Sequence, residues 1–142
     1  MANTDPFVNF NFWIEVDGII KAGFHEVSGL DSSIDIIEHR EGGNITPGKY
    51  PGQVKYSNIT LKKGVTNGRE LYDWHRQWAT GDPAAKRTTG SIILRDRQGN
   101  EKVRWNFTNA WPAKWTGPTL NAEGNDIAIE SMELAHEGVW RV

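Results

Sequence analysis

The chemistry-bearing residues of this chain are His25, His39, His75 and His136, eighteen carboxylates and no cysteine. No two histidines stand at the H-x-x-x-H or H-E-x-x-H spacing that puts two imidazoles on one helical face for zinc. Each therefore reads as a strand-face or surface residue. The stretch GNITPGKY, Gly43 to Tyr50, opens like a phosphate-cradling loop, yet Tyr50 occupies the place of the small hydroxyl that must reach magnesium. Pro47 removes a backbone donor, and Pro51 and Gly52 stand where a helix should begin. Ser28 and Ser91 adjoin glycine without forming a G-x-S-x-G elbow. Nothing selects a catalytic pair among the carboxylates, and the absence of cysteine excludes disulfides, thiolate metal sites and a thiol nucleophile. The sequence points to no catalytic centre, no metal and no cofactor.

The bulk properties bound the alternatives. A chain of 142 residues with 37% hydrophobic and 24% charged residues has the composition of one globular domain, residues 1–142. The net charge of -2, with both signs interspersed, disfavours an electrostatic nucleic-acid binder. The N-terminal sequence has neither the basic nor the long apolar region of a secretion signal, and no segment approaches the length of an apolar membrane span. These features predict synthesis in the cytoplasm without a cleaved signal and without stable membrane association.

The elements that must position any site are mostly strands. Phe10, Phe12, Ile14 and Val16 alternate before Asp17-Gly18, predicting a hairpin over residues 9–27. A third strand is expected over 33–40, with Ile34 and Ile36 packed inside and Ser33 and Asp35 on the open face. Residues 41–53, EGGNITPGKYPGQ, hold four Gly and two Pro and read as a long irregular loop. In YSNITLKKG, Ile59 and Leu61 oppose Asn58, Thr60 and Lys62. One helix is predicted over about 67–79, with Asn67 as N-cap, Glu70 as its reciprocal partner, and Leu71, Trp74 and Trp78 on one face. A second hairpin follows around Gln98 to Asn100, with Val103, Trp105 and Phe107 alternating on its return. In the last strand, 126–135, Ile127 and Ile129 change parity relative to Met132 and Leu134, which predicts a bulge near Glu130 or Ser131. About six or seven strands and one helix make an antiparallel sandwich or barrel.

Three of the seven tryptophans fall within Arg104 to Pro118. Trp105 continues the core parity, whereas Trp111, Pro112 and Trp115 are expected beyond the strand, with Trp111 or Trp115 near a subunit boundary. Packing of these rings on Trp74 and Trp78 is the alternative.

The segments NFNFWIEVDG, AGFHEVSGLD, IEHREGG, PGQVKYSNITLKKG, RELYDWH and RWNFTNAWPAKWTGPTLNAEGNDIAIESMELAHEG occur in order with short gaps. In that order they resemble the inner-tube proteins of contractile injection machines: contractile-phage tail tubes, the tubes of phage-tail-like extracellular particles and, more distantly, the haemolysin-coregulated tube protein of type VI secretion. The resemblance covers about Pro6 to Val142. It implies hexameric rings stacked into a hollow tube, with inner strands pooled into one barrel around a lumen. It also implies a structural, non-enzymatic role as conduit and piston, with sheath, tape-measure protein and baseplate hub as partners and a protein effector or DNA as cargo. A carbohydrate- or ligand-binding barrel using Trp111 and Trp115, and a small hydrolase, are the competing readings.

Within that frame, the 41–53 loop is expected to join stacked rings through Glu41, Asn44 and Lys49. The adjacent Glu38, His39 and Arg40 are further contact candidates. A conduit must not offer apolar patches to what slides through it, which makes Ser33, Asp35, Asn58, Thr60 and Lys62 the candidates for the lumen face.

Overall fold

A computed structural model of the chain describes residues 11–16, 20–43, 45–66, 68–124 and 128–142. Among them are ten strands and one helix, three strands more than the largest number expected. Strands β1 (Asn11–Val16) and β2 (Ile20–Phe24) form the predicted hairpin, its Asp17-Gly18 turn lying outside the described residues. The hairpin ends at Phe24. After His25 the chain crosses to a different neighbour, and β3 (Glu26–Ser28) pairs with β6 (Ile59–Gly64).

The main sheet runs β2-β1-β7-β8-β9-β6-β3, with β7 (Thr88–Arg95), β8 (Glu101–Thr116) and β9 (Ile129–Ala135) at its centre. Its first and last strands are the two halves of one segment, and the His25 amide donates to the Lys62 carbonyl at 3.2 Å between them. The path therefore returns to its own start, and the sheet closes into a barrel around Ile14, Ile59, Leu61, Ile92, Phe107, Met132 and Leu134. The last strand, β10 (Gly138–Arg141), was not expected and pairs with the first half of β8.

Strand β8 does not end where the aromatic spacing suggested. It runs sixteen residues, pairing with β7 and β10 up to Ala110 and with β9 from Trp111 onward. At the change of partner, Asn109 adopts a left-handed backbone (φ 51°) and its amide donates to Glu137 at 2.7 Å. A carboxamide residue tolerates that conformation better than most. Trp111 and Trp115 thus lie on a strand, and Pro112 is tolerated there beside a bulge at Ala113.

The helix α1 (Glu70–Ala79) begins three residues later than predicted. Asn67 lies outside the described residues, Arg69 takes the cap position without a side-chain cap, and the Gly68 amide donates to Thr66 Oγ1 instead. The Glu70 carboxylate lies beside Gly68 and 3.9 Å from Lys63. The predicted face holds: Leu71 and Trp74 are buried and Trp78 packs against the core. Gly81, at φ 71°, ends the helix just past Thr80.

The expected bulge in β9 is absent, since its register with β6 is unbroken from Gly64↔Ile129 to Ile59↔Leu134. Ile129 faces outward and is 42% exposed; Ile127 lies outside the described residues. The inward place beyond Met132 belongs to Glu130, a buried carboxylate facing Lys63.

Candidate assembly surface

The segment read as a long loop is largely a strand. β5 (Gly48–Tyr56) pairs with β4 (Ser32–His39), leaving only residues 40–47 as the connection. Gly48, Pro51 and Gly52 disguised it, being poor strand residues in general but tolerated on an edge or at a bulge. The register slips between Ile34↔Val54 and Ile36↔Pro51, so a bulge on β5 absorbs the Pro-Gly pair.

These two strands form a sheet of their own. Contrary to the sequence reading, Ile34 and Ile36 do not pack inside the subunit: they are 55% and 65% exposed. Ile37, Tyr50 and Val54 are about half exposed as well. Parity alone placed the isoleucines on one face correctly but could not tell that no described residue of the subunit covers it. On the other face, Lys55 Nζ lies 3.1 Å from Asp35, with Ser33 opposite Lys55 in the register.

The ribbon is tied to the barrel at its base. His136 Nε2 donates to the Ser57 carbonyl at 2.8 Å, while its Nδ1 accepts from the Gly138 amide at 3.1 Å, which fixes the neutral tautomer. The Tyr56 ring lies against the same imidazole, with ring centres 5.8 Å apart. Gly29, at φ 88°, makes the turn from β3 into β4, where any Cβ would collide with the Asn58 carbonyl. His136 had no sequence signature, because its partners lie on distant strands.

At the far end, Glu38 stands opposite Lys49 and His39 opposite Gly48, all exposed apart from the half-buried Gly48. Arg40 Nη2 donates to the Ile45 carbonyl at 3.0 Å, which holds the tip together. Glu41 is exposed, and Asn44 lies outside the described residues.

A second surface is polar throughout its centre. The outward face of β6 presents Thr60 and Lys62, and Lys62 Nζ meets Glu26 on β3 at 3.6 Å. Just before the strand, Asn58 donates to Glu133 on β9 at 3.2 Å, and Glu133 stands opposite Lys114 on β8. Ser28, Ser131 and Thr116 fill the positions between them. Opposite charges therefore alternate across four strands. Of the candidate lumen residues, Asn58, Thr60 and Lys62 share this face, whereas Ser33 and Asp35 belong to the ribbon.

The tryptophans turn inward to the helix. Trp78 and Trp111 have ring centres 5.5 Å apart, and Trp115 meets Tyr72 edge-on at 5.1 Å. Trp115 Nε1 also donates to Glu130 at 3.1 Å, and Trp74 is buried with Trp105 packed partly against the core. Trp111 and Trp115 thus both pack on the helix, as in the alternative reading, while each stays partly exposed.

Comparison with known proteins agrees with this architecture. The family described as T4-like virus tail tube protein gp19 matches residues 8–140. A chain in the extended sheath–tube complex of PVC, an extracellular contractile injection system, is 33% identical, with TM-score 0.81 over 98% of this chain and 93% of that one. A chain in the anti-feeding prophage tube terminating cap is 30% identical, with TM-score 0.82 over 100% and 94%. Hcp1 from Flavobacterium johnsoniae shares the fold at 17% identity, with TM-score 0.55 over 93% and 94%. Among curated proteins, no sequence matches the chain.

Proposed function

The chain belongs to the tail tube protein family of T4-like viruses and is a structural tube subunit of the contractile-injection type, and on that basis we propose that it forms hexameric rings stacked into a hollow conduit. The observation that carries this reading is the β4–β5 ribbon, which exposes Ile34, Ile36 and Val54 with no covering element among the described residues. A monomer rarely leaves so many large apolar side chains together on a projecting two-stranded sheet, and a closed ring buries both them and the free strand edges.

In this reading, residues 1–142 act as one tail-tube domain. The ribbon's isoleucine face lies against a neighbouring subunit, and Glu38, His39, Arg40, Glu41, Asn44 and Lys49 at its far end meet the next ring. Asn58, Thr60 and Lys62, with Ser33 and Asp35, line the lumen. The alternating charges of that wall favour free passage, because each cation already has a carboxylate close by. The role is that of a non-enzymatic conduit and rigid piston, surrounded by a sheath, built on a baseplate and threaded during assembly by a tape-measure protein. Sheath–tube and baseplate complexes among the similar structures support the sheath and the baseplate as partners.

Negative-stain microscopy of the purified protein, with sedimentation, tests the reading. Six-subunit rings and tubes built from them are expected. A protein that stays monomeric at high concentration and forms neither would overturn it.

A further inference from the structure

Two complementary features occupy opposite ends of β6. At the Ile59 end, only Ser57 and Asn58 separate β6 from β5, so the ribbon leaves the barrel there. It pairs with no other strand among the described residues, and its exposed isoleucines show that it stands clear of the barrel wall. At the other end, beyond Lys63 and Gly64, a cleft of about 610 Å³ opens between the β1–β2 hairpin and the start of α1. Six residues of strand, roughly 20 Å at ~3.3 Å per residue, separate them.

Their chemistry is matched. The ribbon tip holds Ile45 outward, 89% exposed, beside Arg40, which makes no ion pair among the described residues. The cleft has an apolar wall of Trp13, Phe24 and Val65, with the carboxylate of Glu70 at its rim, about half exposed. The cation next to Glu70 is Lys63, which also lies 3.7 Å from the buried Glu130. Two carboxylates thus share one ammonium, which leaves Glu70 only partly neutralised, while a further cation, Arg95, lies over the Trp13 ring at 5.2 Å.

Resting on the tube reading above, we propose that the ribbon tip of one copy docks in this cleft of a copy in the adjoining ring, Ile45 against Trp13 and Val65 and Arg40 against Glu70. A projection at one end and its receptor at the opposite end relate the two copies by translation along β6. Such a head-to-tail contact propagates instead of closing, so it stacks rings and does not form them. Repeated around a ring, contacts that are individually weak hold two rings firmly together.

The chain has no cysteine, so an Ile45→Cys/Val65→Cys double variant can be joined by a short bismaleimide without background. Assembled tubes should give a denaturing-gel ladder running well past six subunits, and either single variant should give none. A ladder that stops at six, or none from well-formed tubes, overturns the contact. Independently, Arg40→Glu and Glu70→Arg should each preserve rings but shorten tubes at least tenfold, and the double reversal should restore length. Full-length tubes from Arg40→Glu, or a double variant no better than the singles, also overturn it. A wild-type chain forming neither rings nor tubes would instead remove the tube reading on which the contact rests.

Discussion

Lys63 and Glu130 face each other across β6 and β9 inside the barrel, Nζ to carboxylate 3.7 Å, with side chains only 10% and 8% exposed. Glu130 also accepts the Trp115 indole N–H. Removing one member of such a pair leaves the other buried without its main partner. Glu130→Ala should therefore cost about 3–5 kcal/mol, read as a lower urea midpoint. Lys63→Met with Glu130→Leu should be closer to wild type than either single change.

Gly29 sets the ribbon's departure from the barrel by a backbone conformation that side chains resist. Gly29→Ala adds left-handed strain and a clash with the Asn58 carbonyl. The strain alone is worth about 1–3 kcal/mol. Denaturant titration should show at least that loss, and microscopy should show impaired tube assembly.

Ile36 offers the reverse separation. It is exposed in the subunit, so Ile36→Asp should change monomer stability by no more than about 0.5 kcal/mol. Sedimentation should nonetheless show ring formation lost. Intact rings from this variant would mean that the isoleucine face is not the lateral contact.

The alternating charges of the β3-β6-β9 face make a transport prediction. Glu26→Gln frees Lys62 from its partner, and as an exposed pair it should matter little to stability, within about 1 kcal/mol. In assembled tubes, however, the unmatched lysines of every subunit would line the lumen. Labelled single-stranded DNA should be retained by variant tubes at low salt and released at high salt, whereas wild-type tubes retain little.

Asp96 organises the β7–β8 turn by accepting the amides of Asn100 and Gln98 at 2.8 and 3.0 Å. The Asn100 amide bond is the first cause, and with Gln98 and the Lys102 charge it outweighs desolvation and holds the Asp96 carboxyl below its ordinary value of 3.8. A carboxyl that titrates lower when folded stabilises the fold above the unfolded value, and that stability is lost as pH falls through the folded one. A carbon-detected NMR titration should place the Asp96 midpoint below 3.8, with turn amides shifting in the same range.

Where one residue pattern meets one local rule, the sequence was readable. Ile59 and Leu61 fell inward by alternation, Leu71 and Trp74 by helical spacing, and the second hairpin turned around Gln98 to Asn100 as expected. The misreadings share a different cause. Gly48, Pro51 and Gly52 argue against a strand locally, yet β4 supplies a partner and a bulge takes up the proline. The parity change around Ile129 looked like a backbone irregularity because a buried carboxylate is improbable until Lys63 and Trp115 are known to surround it. Ile34 and Ile36 alternate as core residues do, and alternation carries no information about whether the subunit itself supplies a cover for them. The same limit hid the Ser57, Tyr56 and Gly138 contacts of His136.

Strand β8 has a mechanical consequence. Because Glu101–Thr116 pairs with β7 and β10 along one half and with β9 along the other, the two parts of the barrel are joined by unbroken main chain as well as by hydrogen bonds. Shearing one part past the other would require bending that covalent span or rupturing its ladders at several registers together. A subunit driven end-on by an abrupt stroke would transmit the impulse along this strand with little internal slip, and yielding would begin at the joints between subunits.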